Sequence, residues 1–283
     1  MVLRLKPMPA SPSGGEGRCT TLPWSTGFLP IAGGYLAFHR TGGEGPAIVL
    51  SHGLTDNGLC WRRFASEMSA HYDLIMLDAR GHGQSSRIDE SGVHDPVLDI
   101  AAAIEALGLD TPIVMGHSVG ARATAAYASA FPDKVSKVIL EDPPLVPAAG
   151  ALESRQERFR RHVDSFQSMS QAEIVASGRA ATPDWSEDEF PDWALAKKQT
   201  DPRALPIYSQ PWQETIAKIA VQTLLIYGET DRGGLTTPAL VAQAEALNPN
   251  IRSVQIRSAG HNIRRENFLD YVSAVRGFLD LSL

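Results

Sequence analysis

The chain has 283 residues, 43% of them hydrophobic and 20% charged, and a net charge of −6. This composition is ordinary for a globular protein with a sizeable core, in one large α/β domain or two small ones. The acidic net charge argues against nucleic acid as a partner, because nucleic-acid-binding proteins carry a basic surface. It also disfavours binding to an anionic membrane. No apolar run approaches the roughly 18 residues of a membrane span.

Residues 1–25 are rich in proline, glycine and serine, which predicts a flexible extension. They lack the apolar segment of a secretory signal. Cys19 and Cys60 lie far apart and show no metal-ligand spacing, so free thiols in a reducing compartment are expected. We therefore predict a cytoplasmic protein.

From residue 34 onward, short apolar runs alternate with helical patterns. The predicted strands are residues 34–39, 47–51, 72–78, 112–116, 135–140, 223–227 and 251–256. The predicted helices are residues 61–70, 95–107, 121–130, 240–247 and 267–279. This alternation predicts an α/β fold with a doubly wound, mostly parallel sheet.

Residues 145–212 interrupt the alternation. They contain helical patterns at 153–169 and 171–177, then a stretch rich in proline and tryptophan, and no convincing strand. Because the segment lies between two predicted strands, it predicts a helical cap inserted into a core of residues 26–144 and 213–283.

The segment Gly116-His117-Ser118-Val119-Gly120 has the pattern Gly-x-Ser-x-Gly, between an apolar run and a helical run. A serine on a sharp strand-to-helix turn is held out as a nucleophile, and the glycines allow the strand and helix to approach closely. The pattern predicts that Ser118 is the nucleophile.

Further motifs follow the same order along the chain as in a known family. They are Ser51-His52-Gly53, Asp78-Ala79-Arg80-Gly81-His82-Gly83-Gln84-Ser85, Gly228-Glu229-Thr230-Asp231 and Gly260-His261. Together with the serine motif they resemble the α/β-hydrolase superfamily over residues 34–283. The resemblance implies an eight-stranded sheet, a lid over the carboxyl ends of the strands, and a Ser–His–acid triad.

The resemblance implies that His261, late in the chain, is the general base. Two backbone N–H groups, those of Leu54 and Val119, are expected to bind the oxyanion. His52, His82 and His117 also lie in the motifs, beside glycines, and we interpret them as structural residues that hydrogen-bond the loops.

The acid of the triad has two candidates. Asp231 follows the penultimate strand, where most of the superfamily keeps its acid, whereas Asp142 follows the strand after the nucleophile. The run Glu141-Asp142-Pro143-Pro144 resembles an N-formylmaleamate deformylase-like branch with its acid at the earlier place, and the loop after Asp231 is longer than usual. Both candidates stay open.

The predicted cap carries aromatic side chains that could form an apolar wall for the substrate or fasten the cap to the core. The candidate substrate-binding residues are Trp185, Trp193, Tyr208 and Trp212. Arg122, one turn after the nucleophile, could meet a substrate carboxylate, although a solvent-exposed position is the simpler interpretation. Arg264 and Arg265 are interpreted as surface charge.

These residues predict a serine hydrolase that cleaves a small-molecule carboxylic ester or lactone through an acyl-enzyme, with no metal or organic cofactor. Amide or formamide hydrolysis is the alternative, and a ligand-binding receptor on the same fold is a third. A serine nucleophile argues against haloalkane dehalogenase and epoxide hydrolase chemistry. The sequence identifies neither the substrate nor the oligomeric state.

Overall fold

The computed structural model describes residues 6–7, 24–89, 94–145, 152–208 and 210–280. Within these residues the strands are β1 (Lys6–Pro7), β2 (Ser25–Ile31), β3 (Gly34–Arg40), β4 (Ala47–Ser51), β5 (Asp73–Leu77), β6 (Ile113–His117), β7 (Val138–Glu141), β8 (Thr223–Tyr227) and β9 (Ile251–Gln255). They form one sheet in the order β1-β2-β3-β5-β4-β6-β7-β8-β9. The neighbouring strands β5, β4, β6, β7, β8 and β9 pair in parallel. The pairs β1–β2, β2–β3 and β3–β5 are antiparallel.

Helices cover both faces of the sheet. They are α1 (Arg62–Met68), α2 (Pro96–Ala106), α3 (Val119–Ala130), α4 (Leu152–Gln167), α5 (Gln171–Ala181), α6 (Glu189–Lys198), α7 (Trp212–Ala217), α8 (Pro238–Leu247), α9 (Ile263–Glu266) and α10 (Phe268–Phe278). Short 3-10 helices lie at Gly58–Trp61, Pro132–Lys134 and Thr230–Arg232. None of the helices in the described part of the chain has the length and apolar character needed to cross a membrane.

The core has two parts because successive residues of a strand point to opposite faces. Val49 of β4 joins a cluster with α2, α3 and α8, whereas its neighbours Ile48 and Leu50 join a second cluster with α1 and α10. Strands β5 and β6 are buried at every residue, as expected for strands covered on both faces. The doubly wound, mostly parallel α/β sheet predicted from the sequence is therefore confirmed.

The seven strands located in the sequence correspond to β3 through β9, and β2 completes the eight that the family resemblance implies. β1 adds a two-residue strand at the edge. Strand β2 forms an antiparallel hairpin with β3 near this edge, where its internal Pro30 is tolerated. Most of the predicted extension at residues 1–25, including Cys19, lies outside the described residues. Cys60 is buried and free, and burial raises the pKa of its thiol to about 12.

Helices α4, α5 and α6 lie between β7 and β8, within the segment where the sequence predicts a helical cap. We call residues 152–198 the helical insertion. Helix α6 was not predicted because Pro191 falls inside it, but this proline occupies the first turn, where the helix has no hydrogen bond to lose.

Candidate active site

Ser118 lies between β6 and α3 on a strained turn. Its φ is 55° and its ψ is −124°, a backbone conformation that residues other than glycine adopt only at a cost in conformational free energy. Its backbone N–H donates to the Glu141 carbonyl at 2.9 Å. The turn places Ser118 at the carboxyl end of the sheet, with only 5% of its surface exposed.

Two glycines make this turn possible. A Cβ at Gly116 would lie 2.5 Å from the Gly120 carbonyl carbon, and one at Gly120 would lie 2.5 Å from the Ser51 oxygen. Backbone atoms at this distance cannot move aside cheaply, so any larger residue would push α3 away from β4 and β6. The spacing of the Gly-x-Ser-x-Gly motif therefore has the steric cause that the sequence suggested.

Asp142 lies beside Ser118 because β6 and β7 are neighbours in register. His117, the last residue of β6, pairs with Glu141, the last residue of β7, and Ser118 and Asp142 directly follow them. The Asp142 carboxylate is fully buried and accepts backbone N–H groups from Leu235 at 2.9 Å and Thr236 at 2.8 Å. These bonds fix the carboxylate in one orientation.

The imidazole of His261 meets this carboxylate. Its Nδ1 lies 2.6 Å from Asp142 Oδ2, and its side chain is 28% exposed. The Nε2–H of His117 donates to the His261 carbonyl at 3.0 Å, which holds the backbone of the histidine loop against β6. Burial, together with the charges of Arg264 and His261, lowers the pKa of His117 well below its usual value, so it stays neutral.

Asp231, the other candidate acid, lies in the exposed 3-10 helix after β8. Within the described residues it makes no hydrogen bond or ion pair with His261. The loop that follows it instead supplies the N–H groups of Leu235 and Thr236 to Asp142, and the Thr236 hydroxyl donates to the Pro143 carbonyl at 2.7 Å. The unusual length of this loop thus has a structural use beside Asp142.

The two expected oxyanion donors, the N–H groups of Leu54 and Val119, donate to no other described residue. The Leu54 N–H belongs to the same peptide as the Gly53 carbonyl. That carbonyl accepts from the His52 Nδ1–H at 2.8 Å and from the Asp56 N–H at 3.1 Å. Because the two groups of a trans peptide point in opposite directions, these bonds aim the Leu54 N–H away from His52 and Asp56.

His52 is fixed in one tautomer. Its Nε2 accepts the Ala79 N–H at 3.0 Å, so the proton must be on Nδ1. Burial lowers the pKa of His52, which favours this neutral form. His82 Nε2–H donates to the Leu54 carbonyl at 2.8 Å, and burial lowers its pKa to about 3. The three motif histidines, His52, His82 and His117, thus hydrogen-bond the loops as predicted.

Residues 46–267, most of the chain, match the family model described as the alpha/beta hydrolase fold. The chain belongs to the α/β-hydrolase family. It is a hydrolase of that fold, and the resemblance predicted from the motifs is confirmed.

Among relatives of this hydrolase, the N-formylmaleamate deformylase of Pseudomonas putida is 29% identical over 257 residues, covering 85% of this chain and 91% of that protein. The 2-(acetamidomethylene)succinate hydrolase of Mesorhizobium japonicum is 26% identical over 256 residues, with 85% and 90% covered. A crystal structure of E-2-(acetamidomethylene)succinate hydrolase superposes with a TM-score of 0.72 at 21% identity, covering 91% of this chain and 99% of that one. The predicted similarity to a deformylase-like branch is thereby confirmed.

A cavity of this hydrolase adjoins Leu54 and Val119. Its lining is mostly apolar and includes Leu36, Leu77, Ile100 and Ala123. Among the described lining residues the one lysine or arginine is Arg80, whose guanidinium is paired with Asp99 at 2.7 and 3.1 Å. The cavity therefore offers an apolar environment beside the expected oxyanion donors.

Of the four aromatic residues predicted to bind substrate, Tyr208 lines this cavity, and its hydroxyl donates to the Val119 carbonyl at 2.6 Å. The structure places the other three elsewhere. Trp212 is buried in the core against α3, whereas Trp185 and Trp193 pack edge to face within an aromatic group of the helical insertion. None of these three residues lines this cavity: Trp185 and Trp193 pack within the insertion, and Trp212 packs in the core.

The interpretation of Arg122 as solvent-exposed is wrong. Its side chain is buried, its guanidinium lies 4.8 Å from the centre of the Tyr208 ring, and it donates to the carbonyls of Pro144 and Gln210. The Arg122 side chain, one turn after Ser118, therefore faces Pro144, Tyr208 and Gln210 rather than solvent.

The interpretation of Arg264 and Arg265 as surface charge is also wrong, since both are 2% exposed. They belong to a group of six buried charged side chains that we call the charge cluster: Asp56, Glu141, Glu189, Lys197, Arg264 and Arg265. The burial of the other four members was not predicted from the sequence. The one local signal was Glu141 at the end of a buried apolar strand, a position where an acid needs a partner.

Proposed function

We propose that this hydrolase cleaves a small-molecule carboxylic ester or lactone through an acyl-enzyme on Ser118. The observation that carries the proposal is the 2.6 Å contact between His261 Nδ1 and Asp142 Oδ2, since Asp142 and Ser118 directly follow the paired strands β7 and β6. Ser118 is the nucleophile, His261 the general base, and Asp142 the acid that orients the imidazole and stabilises its protonated form.

The reaction proceeds in two steps. Ser118 Oγ bonds to the substrate carbonyl carbon while its proton passes to His261 Nε2, and the carbonyl electrons move onto the oxygen. The N–H groups of Leu54 and Val119 bind this oxyanion. As the carbonyl re-forms, the alkoxide leaves with the proton from His261. Water then attacks the acyl-enzyme by the same route and releases the carboxylic acid and free Ser118.

The apolar cavity supports an uncharged acyl group. An anionic acyl group placed beside Leu54 and Val119 would find Arg80 already neutralised by Asp99, and burying a charge without a partner is costly. Such a preference would distinguish this chain from the relative whose name specifies a succinate, which carries two carboxylates.

A second candidate is the hydrolysis of an amide or formamide. It is supported by the two relatives, a deformylase and an acetamidomethylene-succinate hydrolase, which match more than four fifths of this chain. The triad proposed here serves both reactions, because esters and amides differ in the group that leaves and share the acyl-enzyme.

The test compares an ester and an amide of the same acyl group, together with an ester whose acyl group of equal chain length carries a carboxylate. We expect p-nitrophenyl butanoate to be hydrolysed, p-nitrobutyranilide to report amide cleavage, and p-nitrophenyl hemisuccinate to be a poorer substrate than the butanoate. Ser118→Ala should lower kcat by at least about 10³-fold, whereas the control Ser129→Ala on α3 should leave it unchanged. Turnover of the anilide alone would favour the amide candidate, and no turnover of any ester, lactone or amide would refute both.

A further inference from the structure

The charge cluster contains three acids and three bases, so its formal charges cancel. All six residues are buried, with 7% or less of their surface exposed. Removing an ion from water costs several kcal/mol, and a buried ion pair is often no more stable than an apolar replacement. A cluster of this size therefore invites a role other than stability.

The cluster joins four segments, three of which carry residues of the candidate site. Asp56 lies two residues after Leu54, Glu141 directly precedes Asp142, and Arg264 and Arg265 follow His261. The fourth segment is α6 of the helical insertion, which supplies Glu189 and Lys197.

Asp56 is the centre of the cluster. Its Oδ2 lies 3.1 Å from Arg264 and 3.2 Å from Arg265, and its Oδ1 lies 3.4 Å from Lys197 Nζ. Burial alone would raise the pKa of this carboxyl, but the three cations Arg265, Lys197 and Arg264 hold it well below its usual value. Asp56 is therefore a fixed anion that anchors its own loop.

Lys197 reaches this loop from the insertion. Its Nζ donates to the Thr55 hydroxyl at 2.6 Å and to the Thr55 carbonyl at 3.0 Å, besides Asp56. The backbone N–H of Asp56 in turn donates to the Gly53 carbonyl at 3.1 Å. This carbonyl and the Leu54 N–H belong to one peptide group. One ammonium group thus holds the two residues that follow Leu54.

We propose that Lys197 is a positioning residue: by holding Thr55 and Asp56, it sets the direction of the Leu54 N–H toward the oxyanion. This inference rests on the proposed function, in which Leu54 binds the oxyanion. It makes the helical insertion part of the catalytic geometry although Lys197 itself touches no reacting atom.

The chain offers a matched control in the adjacent residue. Lys198 is also bound, but its Nζ donates to the carbonyls of Phe166, Gln167 and Met169, all within the insertion. Lys198→Met removes an ammonium from the same helix without touching the loop of Leu54. A general loosening of the insertion should affect both variants, whereas positioning of Leu54 should affect Lys197 variants alone.

The experiment measures kcat and KM on the best ester, and the rate at which an alkyl fluorophosphonate labels Ser118, for the full-length wild type and the variants. Losing one oxyanion donor costs about 10²–10³-fold in kcat, and displacing one costs less, so we expect Lys197→Met to lower both kcat and the labelling rate by about 10–100-fold. KM should change much less. Lys198→Met should stay within about twofold of the wild type, and Lys197→Arg should recover part of the loss.

Because Lys197→Met could fail to fold, Lys197→Gln, which keeps an uncharged donor, is measured beside it and should be intermediate. Equal losses in the two methionine variants, or a rise in KM with kcat and labelling unchanged, would overturn the proposal. A wild type that is labelled but turns over no ester, lactone or amide would refute the proposed reaction while the labelling rates still test Lys197. A wild type that is neither labelled nor active would refute both.

Discussion

Asp142, the proposed acid of the candidate triad, is hydrogen-bonded by the loop that carries Asp231, the other candidate. The carboxylate of Asp142 receives two backbone N–H groups from Leu235 and Thr236 and one from the His261 imidazole. Asp231 stands a few residues earlier on the same loop and is exposed to solvent. The two aspartates therefore have distinct expected roles, one as the charge that orients His261 and the other as a surface residue.

Alanine at each position separates these roles. We expect Asp142→Ala to lower kcat by about 10³–10⁴-fold, since the imidazole loses the group that holds its tautomer and stabilises its protonated form. Asp231→Ala should keep kcat within about twofold. Circular dichroism of both variants controls for folding, and a larger loss in Asp231→Ala than in Asp142→Ala would reverse the assignment.

The strained turn at Ser118 is a local feature, and the Gly-x-Ser-x-Gly motif was sufficient to predict it. The choice between Asp142 and Asp231 was not local, because it depends on which carboxylate the distant His261 reaches. The burial of Arg264 and Arg265 was equally out of reach. Two adjacent arginines look like surface charge until Asp56, Glu141 and Glu189 are brought to them from far along the chain.

At the scale of structural elements, the helical insertion contacts the core through buried ion pairs as well as through apolar contacts. Arg265 lies 3.2 Å from Glu189 of α6, and its guanidinium is 4.8 Å from the centre of the Trp185 ring. By contrast, Arg179 and Glu187 form an ion pair within the insertion whose side chains are 55% and 70% exposed. The protein thus contains one arginine–glutamate ion pair that is buried and one that is exposed to solvent.

This contrast predicts different costs for removing one arginine. Arg265→Met leaves Asp56 and Glu189 buried with fewer partners and should lower the free energy of unfolding by about 3–5 kcal/mol. Arg179→Met breaks a solvent-screened pair and should cost less than about 1 kcal/mol. Urea unfolding of both variants measures the difference, and similar costs would show that the buried pair is not a principal fastening.

The strands β3 to β9 and the longer helices of the parallel core were predicted within a few residues because apolar runs and their period indicate them directly, whereas the short helices α7 and α9 were not predicted. Strand β2 and helix α6 were missed for a shared reason. Each contains a proline, Pro30 or Pro191, at a place where the structure tolerates it, near a sheet edge or in a first turn. A proline in the sequence does not by itself show whether a strand or helix tolerates it, because this depends on the neighbouring strand or on where the helix begins.

Across the protein, three buried histidines link folding to pH. The pKa values of His52, His82 and His117 are all lowered, in each case chiefly by burial. Below the unfolded value near 6.5 the unfolded chain binds protons that the folded chain does not, so stability falls as pH falls. For His82, with a folded pKa of about 3, this amounts to about 1.4 kcal/mol per pH unit.

We therefore expect the free energy of unfolding to decrease from pH 7 to pH 5, with His82 alone contributing about 2 kcal/mol. Burial raises the pKa of Glu141, which acts in the opposite direction and offsets part of the loss. His82→Gln should reduce the slope of stability against pH, whereas His71→Gln, at an exposed position, should leave it unchanged. A pH-independent wild type, or equal slopes in the two variants, would contradict the assignment.

The register between His117 and Glu141 has a consequence for the order of folding. Ser118 and Asp142 directly follow the two strands of one β–α–β unit, β6-α3-β7, so a short loop closure brings them together. His261 meets Asp142 only across 119 residues of sequence, after β9 has joined the sheet. Contacts between distant segments form later on average, so we expect the nascent chain to acquire the proposed nucleophile and acid first and the proposed base last. A chain still folding would then carry an inert serine, and hydrolytic activity would coincide with completion of the sheet.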